Sequence, residues 1–514
     1  MRVLHCTLIA GLIASVVGLP RLVNAFSPPQ PQESPAADSA EASPSEASAI
    51  EAPTPSVPPG ITITKSNWTQ YKQFFTTGEI GLWEGSWFWK MPDDVQINVG
   101  PTQVYPLPEP FIELSEKYGD QTRLVRLPDG RWRLKNYVAG MPFPIPREPN
   151  LGLKVLANLN YRITPHLIAG FTDSGTTGSI CEIDRFHNQS CLQVDYDFRQ
   201  MAYNWEPGVA RVEPDSGQAW LGEWVQVEEP EQSRYTADLV LLWQDNLRPE
   251  GHYVFLPALR RSMPLPDTSH CQSLLSSLER PYSYSPTSSI IRRGALGDYD
   301  DPGSGWLEPT SGAVPNAITG TNFFGSFQTS SPQSLSIMHG GWIGGLGDFD
   351  VTSVKQQQLL ALVQLTPEYG KFPDNYDMPL GWAKPSWGNW EVRNVWVLEV
   401  RPIALIAQHC KGKRVIYVDS SLSAPLAEDL YDESMNLSKV MVLSSQPRSV
   451  ASYGMQTWAG GGILQLWDVA GEHAFMGLTA DGRGRSWSID GAVKRQYNSI
   501  AQFQTPGGLM QLMR

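Results

Sequence analysis

Apolar and polar residues alternate along several stretches of this chain with the period of two that is typical of β-strands. In RYTADLVLLWQD (234–245), polar residues alternate with an apolar set that consists of Tyr235, Ala237, Leu239, Leu241 and Trp243. In WEVRNVWVLEVR (390–401), charged residues lie opposite Trp396, Leu398 and Val400. Each of these strands is therefore predicted to have one apolar face and one mostly solvated face.

Similar runs predict further strands. They are CLQVDYDFRQ (191–200), AWLGEWVQVEE (219–229), GHYVFLPAL (251–259) and GGILQLWDVA (461–470). Together the runs predict a mainly β fold of the α+β kind, with an antiparallel sheet of roughly ten strands that curls. The apolar face needs a cover, so either a second sheet packs on it or the sheet wraps around a cavity. The 18 tryptophans could line such a cavity or fill a core.

Helical signals are few and lie early in the chain. NWTQYKQFF (67–75) predicts a short helix that ends near Gly78, with Ser66 or Asn67 as its cap. PEPFIELSEKYG (108–119) predicts a second helix, because a proline stands near its start and a glycine at its end. YVAGMPFPIP (137–146) has three prolines and is interpreted as a rigid apolar connector that covers the mouth or an edge of the sheet.

One acidic stretch could be a metal or catalytic cluster. GKRVIYVDSSLSAPLAEDLYDE (412–433) contains five carboxylates, and its apolar alternation predicts a strand, a turn and a strand instead. Asp419 is expected to bond its own turn, and the acids are expected to lie along a solvated edge. No metal and no cofactor are predicted.

The first 59 residues have the composition of export and linker segments. Residues 1–25 resemble a secretory signal peptide that is cut after Ala25, with a retained membrane anchor as the alternative. Residues 26–59 are rich in Pro, Ala, Ser and Glu and predict a disordered tether. Residues 60–514 are expected to form one soluble β domain with a helical part at 60–150. The net charge of −13 disfavours nucleic acid as a partner.

Four cysteines follow the signal segment, and an even number in an exported chain suggests disulfides. Cys181 and Cys191 flank a polar loop and are the safer pair, which leaves Cys271 with Cys410. A zinc site is the alternative, because His270-Cys271 and His409-Cys410 repeat the same dipeptide. Zinc ligands are usually spaced two to four residues apart, which disfavours this reading.

The chain lacks the common motifs of catalysis. It has neither G-x-S-x-G nor H-E-x-x-H, and the glycine-rich HGGWIGGLGDFD (339–350) lacks the spacing of a phosphate-binding loop. The protein is therefore predicted not to be an enzyme. An exported hydrolase stays an alternative, because scattered Asp, Ser and His residues could meet in space.

Four stretches, in a consistent order, resemble a known family. They are residues 134–162, 252–266, 390–402 and 412–437. In these stretches the chain is similar to exported bacterial proteins that carry the domain of unknown function thirteen twenty-nine and that are related to outer-membrane lipoprotein-sorting proteins. The resemblance implies a half-open curved antiparallel sheet around a hydrophobic cavity, with a few lid helices. Residues 269–290 and 311–347 depart from the pattern of the family.

The resemblance also implies a function and partners. The expected function is a periplasmic carrier of lipid, lipoprotein or another hydrophobic molecule, with transient membrane contact and an inner-membrane exporter of the resistance-nodulation-division type as a partner. A non-catalytic envelope scaffold with a filled core is the alternative. The residues predicted to contact cargo are Tyr235, Leu239, Leu241, Trp243, Phe255, Trp396 and Leu398. Arg260 and Arg261, at the end of a predicted strand, are candidates for contact with an anionic headgroup.

Overall fold

The computed structural model describes part of the chain. The described residues are 57–171, 178–183, 185–248, 251–264, 335–336, 341–342, 346–366, 376–377, 380–403, 412–432, 434–451, 453–457, 462–469, 473–478, 486–487 and 498–512. The predicted signal peptide, most of the predicted tether, Cys271, Cys410 and their neighbouring histidines lie outside the described residues.

The described residues belong to one compact unit, Ser56–Arg514, and most of its regular elements are strands. The strands are β1 (Thr62–Ile63), β2 (Ile97–Asn98), β3 (Arg123–Arg126), β4 (Trp132–Lys135), β5 (Leu167–Gly170), β6 (Gly178–Ile183), β7 (Gln189–Gln200), β8 (Ala219–Glu229), β9 (Ala237–Trp243), β10 (Gly251–Leu256), β11 (Arg261–Pro264), β12 (Leu335–Ser336), β13 (Gly341–Trp342), β14 (Phe349–Leu365), β15 (Tyr376–Asp377), β16 (Trp382–Ala383), β17 (Gly388–Pro402), β18 (Lys413–Asp419), β19 (Pro425–Tyr431), β20 (Leu437–Ser445), β21 (Arg448–Val450), β22 (Gly454–Gln456), β23 (Gly462–Asp468), β24 (His473–Leu478) and β25 (Ser486–Trp487).

Fifteen of these strands form one sheet, in the order β11-β10-β9-β8-β7-β6-β24-β23-β20-β19-β18-β17-β14, with β5 and β25 joined to it beside β7. All of its pairings are antiparallel. The predicted mainly β fold is confirmed, and the sheet is larger than the roughly ten strands expected.

The α-helices of the described residues are short. They are α1 (Thr77–Glu84), α2 (Glu109–Gly119), α3 (Leu151–Asn160), α4 (Ile500–Phe503) and α5 (Pro506–Leu509). The predicted helix at 108–119 is confirmed, whereas the one at 67–75 is wrong in type and extent. Residues Trp68–Phe74 form a 3-10 helix, and α1 begins where that helix was expected to end, because Thr76 caps it in a capping box with Glu79. α3 was not predicted from the sequence.

The main sheet curves around α3. Tyr161, which follows α3, packs on Trp220 of β8 with ring centroids 4.5 Å apart. Gly152 of α3 lies so close to Val351 of β14 that an added Cβ would be 2.5 Å from its side chain. β8 and β14 are nine strand positions apart in the sheet order. In a flat sheet these two strands would be about 43 Å apart. A helix of 10 residues such as α3 is only about 15 Å long. Only a curved sheet brings both strands to one helix.

The side of the sheet that faces α3 is called the inner face here, and the opposite side the outer face. Both faces contain clusters of buried residues. One apolar cluster joins α3 to inner-face residues of strands from both parts of the sheet, such as Leu242 of β9 and Val400 of β17. On the outer face, residues of β20, β23 and β24 pack against the segment 57–99. The expected solvated side of β9 is therefore wrong, since Thr236 and Asp238 are also buried.

The predicted disulfide between Cys181 and Cys191 is present. The two residues lie directly opposite each other on β6 and β7, with their Cα atoms 4.1 Å apart. Among the described residues, none of the helices is long and apolar enough to cross a membrane.

Candidate functional site

The inner face presents a continuous apolar surface. β-Strand side chains alternate between the two faces, so residues two apart on one strand lie on the same side. The residues of the main sheet that bury apolar side chains in the cluster on the inner face are Ile168, Leu192, Val194, Tyr196, Phe198, Trp220, Leu221, Val225, Val227, Leu242, Phe349, Leu398, Val400, Ile416, Val418, Met441, Leu443, Leu464, Leu466 and Phe475. These residues come from strands throughout the sheet, and α3 packs on them through Leu156, Leu159 and its other buried side chains.

Aromatic rings extend this surface at the end of α3. Tyr161 packs against Tyr137 with ring centroids 4.5 Å apart, and Tyr137 lies 4.7 Å from Tyr203 by the same measure. The Tyr137 hydroxyl donates to the Gly140 carbonyl at 2.8 Å. Burial raises the pKa of Tyr137 and Tyr161 well above the usual tyrosine value, and it raises the pKa of Tyr203 to about 12. These hydroxyls are therefore neutral at physiological pH. The predicted connector 137–146 contributes Tyr137 to this aromatic group.

The predicted cargo residues lie on both faces of the sheet. Leu398 is buried on the inner face, and Trp396 packs half-buried against the same cluster. Leu239, Leu241 and Phe255 are buried in an outer-face cluster, and the half-buried Trp243 packs against it.

Tyr235, the remaining predicted cargo residue, precedes β9. It is half-buried, has a positive φ of 66°, and has the Arg234 guanidinium 5.0 Å from its ring centroid. The structure therefore does not bring the predicted set together in one place.

The outer-face cluster around Leu239 is covered by the C-terminal helices. Phe503 of α4 packs on Trp224 with ring centroids 4.9 Å apart, and Leu509 of α5 is fully buried in the same cluster. The Gln504 side chain donates to the Asp197 carboxylate at 2.6 Å. These contacts fix the C-terminal segment to β7, β8 and β9.

The headgroup candidates are at an edge of the sheet. Arg261 is the first residue of β11, which is the last strand on one side of the main sheet, and its register partner is Leu256 of β10. Arg260 adopts a left-handed conformation with φ 48° after a 3-10 helix. Both arginines are exposed. Their headgroup role stays a prediction.

The acidic stretch 412–433 forms β18, a turn and β19, as predicted, and Asp419 accepts bonds from Ser421 N at 2.8 Å and Leu422 N at 3.0 Å. The expected solvated edge is wrong. β18 and β19 are interior strands, and the Asp419, Glu428 and Asp429 side chains are buried. These carboxylates can be buried because other elements of the protein supply their partners.

Four charged side chains, three of them buried and Asp468 half-buried, form a row on the inner face, called the charged row here. It consists of Arg414 on β18, Glu428 on β19, Lys439 on β20 and Asp468 on β23. The Arg414 guanidinium contacts the Glu428 carboxylate, and these two side chains are 1% and 0% exposed. Lys439 Nζ lies 3.3 Å from Asp468 Oδ2. Burial raises the pKa of Glu428, and the nearby Arg414 opposes that rise.

On the outer face, Asp429 holds the start of α1. Its carboxylate accepts a bond from the Gly78 backbone N at 3.1 Å and from the Thr76 hydroxyl at 3.3 Å. Glu79 is buried beside it and accepts from Thr76 N at 2.9 Å. Burial raises the pKa of Glu79 to about 8 and that of Asp429 to about 7. The two carboxyl groups therefore hold protons at pH values where carboxyl groups are usually ionised.

A third buried charge group fixes the segment after β2. Arg393 Nε donates to Asp419 at 2.7 Å, and its Nη1 donates to Glu391 at 2.9 Å and to the Gln103 carbonyl at 2.8 Å. The guanidinium also lies 5.4 Å from the Tyr105 ring centroid.

The charged row was not predicted from the sequence, although one signal for it was present. Arg414 occurs two residues before Ile416, in the same alternation that places Ile416 and Val418 on one face. A charged residue that lies two residues from apolar inner-face residues on the same strand is typical of a buried ion pair. Among the described residues, no His, Cys, Asp and Glu side chains are grouped in threes that could hold a metal ion.

Three solved structures are similar to this chain at low identity. A domain assigned as an outer membrane lipoprotein-sorting protein from Vibrio parahaemolyticus is 10% identical over 68% of this chain and 96% of its own, with a TM-score of 0.35. A DUF1329 family protein from Desulfovibrio piger is 8% identical over 70% of this chain and 100% of its own, with a TM-score of 0.35. A LolA superfamily protein from Nitrosomonas europaea is 10% identical over 64% of this chain and 89% of its own, with a TM-score of 0.28.

No curated protein matches the chain. The sequence model of a protein family of unknown function, DUF1329, matches residues 62–277 and 344–497. The interruption between these ranges overlaps the two stretches, 269–290 and 311–347, in which the sequence departs from the pattern of the family. Because the match extends over most of the chain, the protein belongs to the DUF1329 family.

Proposed function

We propose that this protein is a non-catalytic carrier that binds a lipid, a lipidated protein or another hydrophobic molecule and moves it through the cell envelope. The observation that carries the proposal is the apolar inner face of a curved sheet, to which strands from both parts of the sheet contribute. The periplasm is the proposed location. The inner-membrane exporter stays a prediction from the family resemblance.

The chemistry of the inner face suits a carrier. Each methylene that moves from water to an apolar surface recovers about 0.8 kcal/mol. A carrier takes its cargo from one membrane and returns it to another, so its affinity should nearly match that of the bilayer. A surface of many apolar side chains that form no hydrogen bonds to the cargo meets this requirement. The inner face has such aliphatic and aromatic side chains on neighbouring strands.

In the proposed mechanism, hydrocarbon chains take the position on the inner face that α3 holds in this structure. Eight of the ten residues of α3 are buried, and its apolar side chains contact the surface that cargo would need. Asn158 joins α3 to the connector by bonds to Phe143 N at 2.9 Å and Phe143 O at 2.7 Å. In this proposal α3 and the connector move together as the lid.

The same packing of α3 favours a second candidate function. If α3 never leaves the inner face, the sheet is an ordinary core, and the protein is an envelope scaffold that binds partners by its surface. The two candidates differ in one respect, which is whether a lipid occupies the protein under native conditions.

Gentle purification of the full chain from the periplasm, followed by native mass spectrometry and solvent extraction, tests the proposal. We expect co-purified lipid in the wild-type protein and at least a severalfold loss of it in Trp396→Ala, which alters the inner face. Trp243→Ala is the matched control, because Trp243 is also half-buried but packs on the outer face. It is expected to retain lipid. A wild-type protein free of lipid would favour the scaffold, and a loss only in Trp243→Ala would place cargo at the outer cluster.

A further inference from the structure

The charged row lies on the inner face of the sheet, beside the apolar surface. Arg414 is two residues before the inner residue Ile416, and Glu428 is the register partner of Ile416. Lys439 is two residues before Met441 of the inner cluster and pairs directly with Asp468. All four side chains therefore point to the same side as the apolar cluster.

The charged row is also near one rim of the sheet, because four strands end there together. β18 begins at Lys413 and β20 at Leu437, whereas β19 ends at Tyr431 and β23 at Asp468. Farther from this rim, the same strands carry inner apolar residues such as Val418 and Leu443. The inner face is thus charged at the rim and apolar farther along the strands. An amphiphile that lies along the strands could place its headgroup at the charges and its hydrocarbon chains on the apolar residues.

The Glu428 carboxylate has one oxygen that could still accept a hydrogen bond. One carboxylate oxygen contacts Arg414, and the other, Oε2, is buried and has no hydrogen-bond partner among the residues that the structure describes. A buried charged oxygen without a partner is destabilising. Replacing buried ion pairs by apolar residues is often neutral or stabilising, so stability alone does not account for the charged row.

We propose that the charged row is the binding site for the headgroup of a zwitterionic phospholipid, with the acyl chains along the apolar inner face. This inference rests on the proposed carrier function and adds the class of cargo. The phosphate contacts Arg414 and Lys439, and the ammonium group contacts Glu428 and Asp468. The four charges of the row sum to zero, so a headgroup with one negative and one positive charge leaves none of the charges at this largely buried site uncompensated. A headgroup with a net charge would leave one.

The test compares two lipids that have the same acyl chains. Full-length protein is incubated with dioleoyl phosphatidylethanolamine or with dioleoylglycerol, which lacks the headgroup, and bound lipid is measured by native mass spectrometry. Charge-assisted hydrogen bonds are stronger than neutral ones, so we expect the wild type to prefer phosphatidylethanolamine by about tenfold or more.

The double variant R414M/E428L removes one ion pair and keeps the buried volume, so the fold should be preserved. It should bind both lipids to a similar extent. The matched control K413M/E399L removes an ion pair of 3.0 Å between neighbouring strands on the opposite face and should keep the preference of the wild type. E428Q provides a second variant that retains the shape of the side chain, and it should weaken the preference severalfold.

The possible results distinguish the headgroup site from the carrier function. Equal binding of the two lipids by the wild type, or a preference that persists in R414M/E428L and E428Q, would overturn the headgroup site and leave the carrier function intact. Binding of neither lipid by the wild type would overturn both.

Discussion

Charged side chains are buried on both faces of the main sheet, and their partners differ. On the inner face, Arg414 and Glu428 neutralise each other. On the outer face, Asp429 and Glu79 are two neighbouring carboxyl groups, and the Thr76 hydroxyl and backbone N–H groups at the start of α1 donate hydrogen bonds to them. Backbone donors at a helix N-terminus favour negative charge, but burial opposes it more strongly here. The result is a pair of carboxyl groups whose protonation is coupled to the docking of α1.

The stability of the protein should therefore fall as the pH rises from about 4.5 to about 8. In the folded state Glu79 has a pKa of about 8 instead of 4.5, so it keeps a proton that the unfolded chain has released. Stability from this proton is fully present below the unfolded pKa and is lost as the pH rises through the folded pKa. Asp429 acts in the same direction up to about pH 7.

Urea denaturation of Glu79→Gln at pH 5 and pH 8 checks this expectation. The variant keeps the capping box. Its free energy of unfolding should fall less between pH 5 and pH 8 than that of the wild type does. We expect the difference to be at least about 1.4 kcal/mol, which is the free energy that corresponds to a shift of one pKa unit. Glu84→Gln, at the exposed end of the same helix, is the control and should behave like the wild type. An equal pH dependence in Glu79→Gln would show that this carboxyl group is not the cause.

At the scale of elements, short helices cover the outer face of the sheet. α1 packs on β20, while α4 and α5 cover β7, β8 and β9. Helices of four residues have little stability alone, because helix nucleation is unfavourable and few hydrogen bonds follow it. Their order comes from the side chains that they bury, above all Phe503 and Leu509. The C-terminal segment is therefore held by tertiary contacts.

Phe503→Ala should lower the free energy of unfolding by about 3 kcal/mol or more, because it removes a buried ring from the contact with Trp224. Met510→Ala is the control in the same segment, since Met510 is 49% exposed, and should change stability by less than about 0.5 kcal/mol. Thermal or urea unfolding measures both. A small effect of Phe503→Ala would mean that the outer cluster does not depend on this cover.

At the scale of the whole molecule, the curvature of the main sheet brings strands that are far apart in the strand order to the same helix. α3 contacts β14 at one end of the sheet order, and the residue after α3 contacts β8 near the other end. A change in the position of α3 would therefore alter contacts with strands near both ends of the sheet order. This arrangement provides a direct way to follow cargo binding in the intact protein.

Hydrogen exchange with and without dioleoyl phosphatidylethanolamine tests this idea. If cargo takes the place of α3, amides of Leu151–Asn160 should exchange at least tenfold faster in the lipid-bound protein. Amides of α1, which packs on the outer face, are the internal control and should not change. Unchanged or slower exchange in α3 would contradict the proposed movement while leaving lipid binding to be judged by mass spectrometry.

Several features were correctly predicted from local sequence. The runs at 191–200 and 219–229 are strands because their side chains alternate and turn residues flank them. Asp419 bonds its own turn because an Asp side chain reaches the backbone two residues ahead. The Cys181–Cys191 disulfide followed from the short loop between the two residues.

α3 was not predicted, because LGLKVLANLN is only ten residues long, and eight of these residues are buried, so its polar face is narrow. The single binding face expected for Leu239 and Leu398 was also not found, since alternation within a strand does not say which face of the sheet is inner. That assignment depends on the register between strands that are far apart in the chain.

The sequence by itself determined several of the strands and their turns, because these follow from side-chain alternation and turn chemistry within a few residues, and the number of strands led us to expect a sheet that curls. Only the tertiary structure decided which charges are buried. Arg414, Glu428 and Asp429 look like surface residues until α1 covers one side of their strands and the apolar inner cluster covers the other. Burial results from contacts between segments hundreds of residues apart, and the free energy of a charge depends on those surroundings more than on its neighbours in sequence.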